Sequence, residues 1–338
     1  MCRGSTVDLV ITPHRRQRVR GIARGLLIGT VLDRFVPEPR RGHPVALYGT
    51  VAAALERRMY RDSRRRGAAF AALAAAPVAA AGAAAQRAAP ARAQAALTGA
   101  VTWSVVGGAA LEREAELIAA DLEAGDLASA RQRLPHLCGR DPESLDEKGI
   151  ARAVVESVAE NTSDAVVAPL VWGALLGIPG LAGYRAVNTL DAMVGHRSPR
   201  YERFGWACAR LDDVANWLPA RATAVLAALS APVVSGSPLR AWRSFLRDGR
   251  HHPSPNAGWC EAAFAGALDK RLGGRNMYGS RVDERPELGE GGPPDAGDIR
   301  RAVRLARTVN TAAAVLAAAA AVRLSPGQRS GSAEAGAV

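Results

Sequence analysis

The chain has 338 residues, a net charge of +12 and 48% hydrophobic residues, enough for a large core or for several membrane spans. All its basic residues but Lys148 and Lys270 are arginine, they are spread along the chain, and no zinc-finger or aromatic RNA motif accompanies them, which argues against nucleic acid as a partner. The four cysteines, Cys2, Cys138, Cys208 and Cys260, form no CxxC pair and no zinc spacing, so free thiols are expected.

The first stretch, "MCRGSTVDLVITPHRRQRVRG", has no apolar run ahead of its arginines. No cleavable signal is expected, and residues 1–21 read as a basic tail. "GLLIGTVLDRF" (25–35) is apolar but short, and carries Asp33. In "HPVALYG" (43–49), Pro44 biases His43 toward an extended conformation. "ERRMYRDSRRRG" (56–67) is a dense basic block that runs directly into an apolar segment, the positive-inside pattern. Charge-poor runs then recur at 67–85, 95–111, 165–183, 222–234 and 308–322. A span needs about 20 apolar residues. The first and third runs reach that length, the second only just does, and the last two are short. Mean hydropathy is −0.03, low for a polytopic membrane protein. Buried helices of a soluble all-α protein would share these runs, but the basic block and the small residues filling the runs favour the membrane. Pro169, Gly177 and Pro179 make 165–183 a candidate for a broken or re-entrant helix. An unbroken span there would put its flanking polar segments on opposite sides of the bilayer.

Residues 111–163 read as amphipathic helices, one stopping at Gly125 and one opening at Asp141-Pro142 and continuing to Asn161. No strand-like alternation is evident. The glycines of "RLGGRN" (271–276) allow a phosphate to approach the backbone, although a plain turn is the commoner use. Asn256 and Glu261 read as a cap and an early acid of one helix. Residues 285–298 read as a mobile surface loop and 325–338 as a disordered tail. The expected fold class is all-α: a multi-pass helical membrane protein, with a single membrane-embedded catalytic domain over 22–324 and polar helix-loop segments forming the active site.

Three polar clusters adjoin the apolar runs. The first, in "ESVAENTSDAVVAPL", holds Glu156, Glu160, Asn161 and Asp164, with its carboxylates at i, i+4 and i+8. Like charges at that spacing repel by roughly 0.2–0.5 kcal/mol per exposed pair, so something must offset them. The second holds Arg185, Asn188, Asp191, His196 and Arg197. The third, "ARLDDVANWLPAR", holds Arg210, Asp212, Asp213, Asn216 and Arg221. Any one of these fits a salt-bridged surface helix. Together, carboxylates and amides suit Mg²⁺, and arginines suit phosphate, which is a layout for phosphoryl chemistry. Magnesium and arginine are therefore expected opposite the three carboxylates.

These segments resemble the adenosylcobinamide-phosphate synthase family of cobalamin biosynthesis (CobD/CbiB). The likeness runs through "LDRFVPEPRRGHPVALYG", through residues 156–221, and through "SPNAGWCEAAFAGALDKRLGGRNMYG". It is loose over 67–110 and after 283. The resemblance implies a multi-pass protein of the inner cell membrane. It also implies ATP-driven amide formation between a carboxylate of adenosylcobyric acid and an aminoalkyl phosphate, usually aminopropanol phosphate. The partners expected are that corrinoid, the amine, the lipid bilayer and other enzymes of the cobalamin pathway. On this reading Glu156, Glu160 and Asp164 are Mg²⁺ ligands or the base, and Asp191, Asp212 and Asp213 further candidates for either role. Arg185, Arg197, Arg210 and Arg221 bind phosphates or corrinoid carboxylates, with Asn188 and Asn216 orienting them. His43, Asn161 and Asn256 complete the substrate-binding set. Two other classes compete: a membrane prenyltransferase, suggested by "LDDVANW" but lacking a second Asp-rich motif, and a scaffold or transporter with charges lining a pathway.

Overall fold

The computed structural model describes residues 13–37, 39, 42–196, 198–278 and 281–324. Its first helices are α1 (Pro13–Phe35), α2 (Pro44–Met59), α3 (Arg64–Ala88), α4 (Gln94–Val105), α5 (Gly108–Glu123) and α6 (Leu127–Arg133). Then come α7 (Glu147–Thr162), α8 (Ala168–Leu176), α9 (Ile178–Leu190), α10 (Trp206–Ala215), α11 (Trp217–Ser230), α12 (Pro238–Asp248) and α13 (Ala257–Leu268). An antiparallel hairpin of β1 (Leu272–Tyr278) and β2 (Arg281–Leu288) precedes α14 (Ala296–Arg323). The all-α expectation is corrected only by this hairpin. Gly273 and Gly274, at φ +80° and +77°, form a bulge that interrupts any readable alternation in β1. Residues 285–288, expected in a mobile loop, belong to β2. Asp295 and Asp298 close that loop by capping α14 reciprocally.

Helix α14 is the central post, packing on α1, α5, α7, α8 and α11. Its buried Ile299, Ala302, Val303, Ala306, Val309 and Ala313 recur at helical spacing. Glu112 of α5, buried beside it, accepts hydrogen bonds from Arg34 of α1 at 2.8 Å and from Arg307 of α14 at 2.7 Å, so one carboxylate joins three helices. Helix α1 packs on α4 through Gly21, Gly25 and Gly29, which face Gln94, Thr98 and Thr102. A Cβ at Gly25 would collide with Thr98, so the backbones approach as closely as small residues allow. Because α1 starts at Pro13, residues 13–21 are helix rather than a separate tail. Residues 1–12 and the tail 325–338 lie outside the described residues.

Three helices are long and apolar enough to cross a membrane: α3, Trp217–Val234 (α11 with the turn that follows it) and α14. Only 22% of the most apolar window of α3 is buried, and Leu73, Leu229 and Val315 are exposed on the three helices. The run 95–111 is not one helix, because α4 ends at Val105 and the Gly107 N–H turns to the Ala165 carbonyl. The run 165–183 also divides. Gly177, at φ +74°, ends α8, and the Ile178 N–H that opens α9 donates to Gln86 Oε1 of α3 at 2.7 Å. Helix α9 then folds back on α8.

Candidate active site

That fold-back brings the polar clusters flanking 165–183 together. Helix α7 continues into α8 through a π-helical turn, Ser163–Val167, and α9 ends in a second, Asp191–Gly195. Asp164 lies in the first and Asp191 opens the second. A π turn carries an extra residue and re-aims side chains, and such turns gather at functional sites.

The three carboxylates of α7 and its π turn have three different surroundings. Glu156, 3% exposed, forms a salt bridge with Arg140 and accepts from the Gly273 N–H at 2.7 Å, while Arg152 Nε lies 4.0 Å away. The Gly273 carbonyl in turn accepts from Arg152. Arginine thus sits opposite Glu156, as expected, but it is Arg140, and the result is a clamp between α7, the loop before it and the hairpin. Of the glycine pair in "RLGGRN", Gly273 serves this clamp with its N–H and its carbonyl. One turn on, burial pushes the Glu160 carboxyl up; Arg285 and Arg140 oppose that shift, and Asp212 and Glu156 add to it. Asp164 is held well above the usual carboxylate range by burial and by repulsion from Asp212, Glu160 and Asp191. Glu160 thus faces Arg285 and Arg140 as well as carboxylates, and Asp164 faces three carboxylates with Arg185 opposing them.

The second and third clusters meet in a largely half-buried hydrogen-bond network. Asn188 Nδ2 donates to Asp212 Oδ1 at 3.3 Å and Asn216 Nδ2 to Asp212 Oδ2 at 2.9 Å. The Tyr184 hydroxyl donates to Asn216 Oδ1 at 2.8 Å and lies 3.1 Å from the Asp164 carbonyl. Arg185 reaches Asn188 at 3.5 Å. Burial raises the Asp212 carboxyl, with both amides opposing. It pushes Asp191 up to about 7, with Asp212, Asp213 and Glu160 adding repulsion.

The remaining candidates lie further out. Asp213 pairs with exposed Arg210 at 3.0 Å. Arg221 stacks on Trp217 and Trp259 and reaches Asn256 Oδ1 at 3.3 Å. Asn256 begins α13 but does not cap it with its side chain; its Nδ2 donates to the Asp213 carbonyl at 2.8 Å, tying α13 to α10. Asn161 Nδ2 donates to the Ser157 carbonyl at 2.9 Å. His43 packs edge-on against Trp103, away from this network. Arg197 lies outside the described residues. The three described cysteines are free thiols.

Two polar cavities share Leu137 as a wall. One, of about 440 Å³, is lined by Glu114, His136, Asn161, Arg185 and Asn188. The other, of about 290 Å³, is lined by Arg140, Glu156, Glu160, His252, Glu261 and Arg285. Sequence reading missed Arg140, Tyr184, His252, Glu261 and Arg285 as site residues. Glu261 carried one usable signal: it is the sole charge in a helix otherwise apolar on every side.

Among the described residues no three acidic, histidine or cysteine side chains converge as a ligand set for one ion. Glu156 is committed to Arg140 and Gly273, so the trio Glu156, Glu160 and Asp164 is not a ready-made magnesium shell. The donor chemistry nevertheless fits Mg²⁺ of the kind held by one or two carboxylates and completed by phosphate oxygens and water. Asp164, Asp191 and Asp212 are half-buried, offer only oxygen donors, and repel one another.

The CobD/Cbib protein family matches residues 26–306. The chain is 53% identical over 295 residues to the cobalamin biosynthesis protein CobD of Mycobacterium tuberculosis, covering 87% of this chain and 94% of that one. It is 43% identical over 273 residues to CobD of Rhodobacter capsulatus (79% and 86% covered), and 41% over 291 residues to CobD of Geobacter metallireducens (83% and 91%). No solved structure matches.

Proposed function

The chain belongs to the CobD/CbiB family of cobalamin biosynthesis proteins, and on that premise we propose that it is an ATP-dependent amide synthase of the cell membrane. It joins an aminoalkyl phosphate, aminopropanol phosphate or a close relative, to a carboxylate of adenosylcobyric acid and forms adenosylcobinamide phosphate. The observation that supports this reading most is the meeting of Glu160, Asp164, Asp191 and Asp212, drawn from three separate segments, beside two polar cavities. The exposed apolar faces of α3, α11 and α14 support a multi-pass membrane setting.

A carboxylate does not condense with an amine unaided. Transfer of the ATP γ-phosphoryl group to the corrinoid carboxylate gives an acyl phosphate and ADP. The free amine then attacks the acyl carbon, phosphate leaves, and the amide remains. Before attack the ammonium loses one proton, and Glu160, whose carboxyl is raised by burial, accepts it. Arg185, with Asn161 and Asn188, lines the larger cavity and holds anionic substrate groups there. Tyr184 and Asn216 keep Asp212 in position. Mg²⁺ held by one or two of Asp164, Asp191 and Asp212 would neutralise phosphate charge.

The test supplies protein in detergent with the corrinoid acid, aminopropanol phosphate, ATP and Mg²⁺. Mass spectrometry is expected to show the amide and stoichiometric ADP. Neither product, or diphosphate release from an allylic substrate instead, refutes the proposal.

A further inference from the structure

The smaller cavity contains an acid that the chemistry above does not use. Glu261 is 1% exposed in α13, its Oε2 has no hydrogen-bond partner, and the residue lines the cavity. A buried acceptor without a donor is costly to keep. Its nearest ring offers little relief. His252 Nε2 lies 3.9 Å from Glu261 Oε1, beyond hydrogen-bonding range, and 3.4 Å from Arg285 Nη1. Glu160 lines the same cavity from α7. Glu156, the third acid there, is already held by Arg140 and Gly273. Three glutamates and two arginines, Arg140 and Arg285, line the cavity beside His252. At about 290 Å³ the cavity is at the small end for ligand sites. It suits a short aminoalkyl group and not a macrocycle.

We propose that this cavity is the subsite for the primary ammonium of the amine substrate, held between Glu261 and Glu160. The assignment rests on the amide-forming reading and adds to it where the amine sits and which acid, unrecognised from sequence, selects it. The ammonium donates to the orphaned Glu261 oxygen. Its phosphate end stays outside the acidic pair. Amines too bulky for the cavity are excluded.

Calorimetry on the protein in detergent tests this with two probes, 1-amino-2-propanol phosphate and propyl phosphate, which lacks the amine. Wild type is expected to bind the amine at least about tenfold more tightly, as loss of a charge-assisted hydrogen bond dictates. Glu261→Gln is expected to lose that preference while binding propyl phosphate as wild type does. Glu261→Asp, which keeps the charge, is expected to fall between. Equal affinity of wild type for the two probes, binding of neither, or an undiminished preference in Glu261→Gln overturns the subsite. If Glu261→Gln does not fold, wild type and Glu261→Asp still decide: no preference in the first, or a preference in the second equal to wild type, overturns it. Wild type that prefers the amine yet makes no amide from corrinoid acid and ATP refutes the synthase reading and leaves the subsite standing.

Discussion

Glu156 and Glu160 are one helical turn apart, yet their surroundings differ and the proposed chemistry gives them different work, which paired substitutions separate. In Glu156→Gln the shape of the side chain is kept and its charge removed. The amide oxygen can still accept from the Gly273 N–H, but the NH₂ group then faces the Arg140 guanidinium, donor against donor. Arg140 is itself buried, so it loses the carboxylate with which it forms its salt bridge. Breaking one side of a buried ion pair costs about 3–5 kcal/mol, and the retained Gly273 contact points to the lower end, about 3 kcal/mol. For a chain of this size roughly 2–4 °C of melting temperature is lost per kcal/mol, so the melt is expected to fall by roughly 6–12 °C. Glu160→Gln replaces a carboxyl that burial already drives toward its neutral form, so its melt stays within about 3 °C of wild type. Its turnover is expected to fall by about 100-fold or more through loss of the proton acceptor. Thermal melts followed by tryptophan fluorescence in detergent, with product formation measured in parallel, read both quantities. If Glu156→Gln melts with wild type while losing turnover, or Glu160→Gln melts early, the division of labour is wrong.

Other substitutions probe the frame and the acidic centre. Gly177→Ala forces a Cβ into a φ of +74° and onto Gln86 Oε1, and is expected to lower the melt by several degrees and reduce product; unchanged activity would show that the α8–α9 reversal does not depend on that glycine. Gly25→Leu should separate α1 from α4 by clashing with Thr98, seen as lost cross-linking between cysteines placed along the two helices. Asp191 has a folded value of about 7 against an ordinary 3.8, so the fold favours its protonated form. Its stabilising contribution is complete below about pH 4 and is lost as pH rises through about 7. In EDTA the melt of wild type is expected to fall between pH 5 and pH 8, and that of Asp191→Asn to fall less; parallel curves would remove Asp191 from the repelling group.

Much of this arrangement follows from neighbours along the chain. The helical class, the apolar runs and the three segments dense in Asp, Glu, Arg and Asn depend on spacing and residue type, and all are readable without coordinates. Gly125 as a helix end and Gly177 as a break follow from backbone freedom at single positions. The likeness of residues 156–221 to the CobD/CbiB family is equally a property of the string. What sequence left undetermined was which partner each charge would meet. Arg140 neutralises Glu156 across a loop, and the hairpin amide completes the clamp. Glu261 reads as an ordinary early acid of a helix until α7 is packed beside it. The π turns at Asp164 and Asp191 change the helical register without any residue signature.

Sequence alone determined that the chain is helical and where its apolar runs and polar clusters fall, because hydrophobic spacing and backbone freedom act over a few residues. Only the tertiary structure decided which carboxylates are satisfied and which remain repelling one another. That depends on burial and on groups brought from 24 to more than 100 positions away, as between Asn188 and Asp212 or Glu156 and Gly273, and the cost of an unpaired charge exists only once water has been excluded.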